Sequence, residues 1–349
     1  MKKSLKLIAV AASLTLITGV AVAPSAQAAK IKLCLALDTG GVDDRSFNEG
    51  AWKGAQASTV STAEYLSAAS SADFAPNIKK FVDKGCDLIV GVGFAISAEI
   101  VKSAKANPKI KYAVVDDAGE DCDANYNCKP VANVKGLTFQ TDEAAFMAGY
   151  LAAGVSRTGK VATYGGAPYP TVTIFMDGYA RGVDYYNKQK GKSVKVLGWD
   201  PANPKSGTFV GNFSDQTKAL TISKGFEQQG ADVILPVGGN LGAPYAAESE
   251  KSKKSLTIWV DSDGFGLLTA GKTILLTTVV KEIGASIKSV AKDVANKKFN
   301  GSKYVGTLKN KGVSIAPYHD QSSRVPGALK LEVRKIRDAI IAGTLKVSA

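Results

Sequence analysis

The chain has one histidine, three tryptophans and three methionines among 349 residues. The lone His319 lies in APYHD, where it reads as structural. It leaves no material for a Ser-His-Asp or Cys-His set. After position 22 no apolar run is long enough to span a bilayer. P-loop, zinc-finger and single-strand-binding signatures are missing, as is any block of about five like charges. GVGFAI lacks the third glycine of a dinucleotide motif. The acids in DDAGEDCD, residues 116–123, do not have the spacing of a calcium loop. No enzyme activity, metal, cofactor or nucleic-acid partner is therefore expected.

Apolar residues make up 45% of the chain and charged residues 21%, which suits a folded core and excludes disordered and fibrous classes. The start carries Lys2, Lys3 and Lys6, an apolar stretch from Leu7 to Val22, and Ala26-Gln27-Ala28 as a small-x-small cleavage site. This is the pattern of a secretory signal peptide over residues 1–28. An exported, extracytoplasmic monomer at the periplasm or cell surface is expected. No cysteine at the end of the leader marks a lipid anchor. The formal charge of +13 is spread over scattered lysines, as on solvated helix faces.

Four cysteines follow the leader, and outside the cytosol an even count favours disulfides. Cys122 and Cys128 bracket a polar, turn-rich loop and are expected to bridge. Cys34 and Cys86 sit in or beside strands; they either pair or serve as small buried hydrophobes.

Strand-like and helix-like periods alternate almost throughout. IKLCLALD, DLIVGVG, KYAVVDD and VKGLTFQ read as strands of a first run. KVATYGG, VKVLGWD, ADVILPVGG, LTIWVDSDG and TILLTTV belong to a second. Helices between them predict parallel sheets covered on both faces, hence an α/β protein with two doubly wound, Rossmann-like lobes. The tail segments fit neither run alone. The economical solution is three crossings, near 140, 278 and 314. They give a first lobe of 29–140 plus 278–313, a second of 141–277 plus 314–349, and a three-strand hinge beside a closable cleft.

In open α/β sheets, ligands bind beyond the carboxyl ends of strands. Those positions carry Asp38, then Asp43, Phe47 and Asn48 in GGVDDRSFN, then Phe94 and Asp116. In the second run they carry Phe213, Gly239 and Asp261, with Lys281 at a crossing. Ser46 and Glu49 read as a capping box. Phe47 is either a helix staple or a stacking ring, and an acid such as Asp38 or Asp43 can also cap a turn. Rings with carboxylates at several loops suit a flat heterocycle, stacked on its faces and hydrogen-bonded at its edges. A free sugar could use the same groups. A phosphate would be repelled by the acids.

The blocks LALDTGGVDDRSFNEGAWKG, GVGF, VVDD, FQTDEAAFMAGYLA and GNFSDQTKA resemble the BMP (basic membrane protein) family of ABC-transporter substrate-binding proteins, which includes purine nucleoside receptors. The resemblance implies a type I periplasmic-binding-protein fold, a nucleoside ligand, and delivery to the permease and ATPase subunits of an importer. It implies a base held between Phe47 and Phe213, with Asp38 and Asp116 facing it from the first lobe. Asp261 and Lys281 would reach the ribose, and Gly239 would offer backbone. APYPTVTIF and DSDGFG depart from the family pattern. A sugar or signal-molecule receptor of the same fold and a secreted nucleoside hydrolase are the alternatives from other classes.

Overall fold

The computed structural model describes residues 30–125 and 127–347; the signal peptide expected over 1–28 lies outside them. The chain begins with β1 (Ile31–Leu37), α1 (Phe47–Gln56), β2 (Ser61–Ser67), α2 (Phe74–Asp83), β3 (Leu88–Val92), α3 (Ser97–Ala106) and β4 (Lys111–Val115). A small hairpin of β5 (Glu120–Cys122) and β6 (Cys128–Pro130) leads to β7 (Val134–Phe139). Then come α4 (Thr141–Val155), β8 (Lys160–Gly165), α5 (Pro170–Lys190), β9 (Lys195–Leu197), α6 (Gln216–Gln228), β10 (Val233–Val237), α7 (Ala243–Ser252) and β11 (Leu256–Asp261). The last elements are β12 (Leu275–Lys281), α8 (Ile283–Ala295), β13 (Tyr304–Gly306), β14 (Val313–Ile315) and α9 (Gly327–Ile341).

The strands form two six-stranded sheets, ordered β13-β7-β4-β3-β1-β2 and β14-β12-β11-β10-β8-β9. Every pair is parallel except β12 with β14. Central strands such as β3 and β10 are buried along their whole length, as expected of sheets covered on both faces. The fold is that of the type I periplasmic binding proteins.

β2 has no strand-like signal in the sequence, since its residues STAEYLS are largely polar and half exposed. It is an edge strand that pairs only with β1, so the sheet does not demand an apolar run. The second crossing also differs. β12 stays in the second sheet through Lys281, so residues 278–281, expected in the first lobe, pair with β11 and β14.

The three crossing segments lie side by side. The Gln140 amide donates to the Gly306 carbonyl at 2.8 Å, and the Glu282 amide to that of Gly312 at 2.9 Å. A Cβ at Gly312 would stand 2.3 Å from the Gly306 Cα, so these two segments touch only because both residues are glycine.

Both disulfides are formed, Cys122–Cys128 across the hairpin and Cys34–Cys86 from β1 to a position two residues before β3. Cys34 and Cys86, left open by the sequence, thus pair. Cys34–Cys86 spans 52 positions and Cys122–Cys128 only six. Loop-closure entropy therefore predicts a loss of about 2–4 kcal/mol for the double variant Cys34→Ala/Cys86→Ala, and a smaller loss for the hairpin pair. Urea unfolding checks this; equal losses would refute it.

Candidate ligand-binding site

The carboxyl ends of both sheets face one cavity of about 270 Å³, just below the ~300–1,000 Å³ usual for small-molecule sites. Of the expected residues, Asp38, Phe47, Phe94, Asp116, Phe213, Gly239, Asp261 and Lys281 line it. Asp43 does not; it lies in an open groove with Arg45 and Thr269, and Asp44 faces the cavity instead. Asn48 is buried behind the wall, where its Nδ2 donates to Asp38 Oδ1 at 2.7 Å. Its role is to hold Asp38.

Lys281, at the end of β12, is buried at the polar end of the cavity. Its Nζ donates to both oxygens of Asp116, at 2.9 and 2.7 Å, and lies 3.5 Å from Asp261 Oδ1. The same ammonium sits 4.8 Å from the Phe47 ring centre and 5.4 Å from that of Phe175. Burial works against its charge, but the Asp116 and Asp261 carboxylates prevail and hold its pKa above the usual lysine value. Asp116 and Asp261 both adopt left-handed backbone, with φ of 70° and 66°. Strained non-glycine residues of this kind collect at functional sites.

Asp38 Oδ1 also accepts from the Gly40 amide at 3.0 Å. Burial raises the Asp38 pKa, against the hydrogen bonds from Asn48 and Gly40. Asp44 accepts from the amides of Ser46, Asn48 and Glu49 at 3.0, 2.8 and 3.0 Å, and so caps α1. Burial nonetheless pushes Asp44 up to about 7. This replaces the capping box expected of Ser46 and Glu49: Ser46 makes no side-chain cap, and Glu49 pairs with Lys53. Four carboxyl groups thus face the cavity with one ammonium, leaving acceptors in excess.

Six aromatic rings share the lining with these groups. Phe94 of the first lobe stands 5.4 Å from Tyr169 of the second, which in turn is 6.0 Å from Phe213. Phe74 and Phe175 also line the cavity, Phe175 beside the Lys281 ammonium. Tyr169, Phe74 and Phe175 were not among the residues expected from the sequence; Tyr169 lies just after β8, a position that could have signalled it, whereas Phe74 and Phe175 are on helices. The acids of residues 116–123 go different ways. Asp117 accepts from Ser97, Asp121 pairs with Lys105, and Asp123 closes its own turn. His319 contacts Asp263 at 2.8 Å and stacks on Phe265; neither it nor these two partners lines the cavity.

Residues 31–348 match the family described as Bmp, ABC transporter substrate-binding protein PnrA-like. The chain belongs to this family. Its members are substrate-binding proteins and not enzymes, so this substrate-binding protein is read as one that holds a ligand without turning it over. It is 28% identical to the ABC transporter nucleoside-binding protein BmpA of Lactococcus lactis subsp. cremoris, over 91% of this chain and 89% of that one. It is 29% identical to basic membrane protein A1 of Borrelia garinii subsp. bavariensis, over 89% and 86%. Among solved structures, a solute-binding protein of an ABC transporter system from Aeropyrum pernix K1 superposes with a TM-score of 0.76 at 22% identity, covering 90% and 92% of the two chains. The two disulfides of this substrate-binding protein suit export.

Proposed function

We propose that this protein captures a nucleoside, of the purine class, between its lobes outside the cytoplasm and delivers it to the permease of an ABC importer. The observation that carries the reading is the cavity itself. Aromatic rings from both lobes line it together with carboxyl groups set around a single ammonium. Rings suit the faces of a base, and carboxylates accept from its N–H edge and from ribose hydroxyls. The nucleoside-binding relative in Lactococcus supports it. The lobes rock about the three crossings, and ligand drives closure by touching both lobes at once.

Inosine, guanosine or adenosine is expected to raise the melting temperature. The corresponding 5′-monophosphates are expected to leave it unchanged, because the cavity carries an excess of carboxylates. Stabilisation by pentoses and not by nucleosides would replace this reading with a sugar receptor. Asp38 is the better probe of base choice, because Asp116 already has both oxygens on Lys281. Asp38→Asn swaps an acceptor for a donor and should re-rank the three nucleosides by calorimetry. A uniform loss across them would show that Asp38 only supports the wall.

A further inference from the structure

The segment Asp44–Ser46, between β1 and α1 of the first lobe, is tied to the end of β11 in the second by reciprocal hydrogen bonds. The Ser46 hydroxyl lies 2.8 Å from both the Val260 carbonyl and Asp261 Oδ2, to which it donates a shared bond. In return, Ser262 Oγ donates to the Ser46 carbonyl at 3.0 Å, and the Trp259 indole to the Arg45 carbonyl at 3.1 Å. Ser46 is fully buried, yet it does not line the cavity. Arg45 has φ of 54°, a left-handed turn that a side chain adopts only when its surroundings impose it. A Cβ at Gly50 would lie 2.5 Å from Ser262 Oγ, so this glycine lets the second lobe come close.

We propose that Ser46 is a positioning residue and an interlobe latch: it holds the lobes together outside the cavity and orients the Asp261 carboxylate toward the bound molecule. The proposal rests on the nucleoside reading for its choice of probe. The latch supplies part of the closing free energy that the ligand would otherwise have to supply, because its bonds require the two lobes to meet. Its main effect therefore falls on escape of ligand, since release needs the bonds broken while the first encounter with an open lobe does not.

The test compares wild type, Ser46→Ala and Ser262→Ala. The second variant loses only a half-buried hydroxyl, so it serves even where the buried Ser46→Ala folds poorly. Stopped-flow measurements with inosine should show dissociation faster by about tenfold in each variant, the scale of one hydrogen bond to a charged or carbonyl acceptor, with association changed less than about twofold. Small-angle scattering without ligand should show both variants more extended than wild type. Unchanged dissociation and unchanged scattering in both variants would overturn the latch. A wild-type protein indifferent to inosine would overturn the nucleoside reading alone, and the ligand-free scattering would still decide the latch.

Discussion

Lys281→Met is expected to lower the stability of the fold by about 3–5 kcal/mol at neutral pH and to abolish nucleoside binding. The substitution keeps the apolar stem but removes the ammonium between Asp116 and Asp261, both buried. Two carboxylates would then face each other without a counter-charge. Burial already holds the Asp116 pKa above its ordinary value of 3.8, and loss of the ammonium that opposes this would raise it further. A group raised in this way contributes stability that is present below the unfolded pKa and lost as pH rises through the folded one. The deficit of Lys281→Met against wild type should therefore be small in mild acid and grow toward pH 8. Urea unfolding across that range measures it. A deficit that does not change with pH would assign the loss to packing instead. The double variant Lys281→Met/Asp116→Leu should regain most of the stability, since apolar replacement of a buried ion pair is often neutral. It should not regain binding.

Phe213→Ala and Phe47→Ala are each expected to weaken binding of inosine at least tenfold, within the range of about 1–3 kcal/mol for stacking one base. Phe213 is half-buried in a loop of the second lobe, so its loss should leave the melting temperature nearly unchanged. Phe47 does more. Its ring also lies under the Lys281 ammonium at 4.8 Å, so truncation weakens the stack and loosens the charge beside it. The affinity loss should accordingly be larger for Phe47→Ala than for Phe213→Ala. Calorimetry that finds the wild-type affinity in both variants would end the stacking account.

The parallel architecture was legible because buried strands such as DLIVGV and ADVILPV are apolar on both faces. The cavity lining was legible where a polar residue ends such a strand or follows it directly, as Asp261 does in the first way and Asp38 and Asp116 in the second. It was not legible for Phe175 and Phe74. Each is buried on a helix, and apolar spacing cannot separate a ring that touches core from one that touches ligand. Asp43 and Asp44 are chemically alike neighbours, and only the turn of the backbone decides which faces inward. Ser46 misled for a different reason. The S-x-x-E spacing fits a helix start, but Asp44 already occupies the amides, which frees the Ser46 hydroxyl for the other lobe.

The contact between Gly306 and Gly312 has a mechanical consequence. Segments laced together by main-chain bonds resist sliding past one another, so the motion expected of the two halves is a swing about one shared axis. Any side chain placed at either glycine would wedge the lacing apart and shift the resting angle of the jaws. Dyes attached at the far tips of the two halves would then report that angle directly, and the glycine positions would offer a way to tune it without altering a single group that meets the cargo.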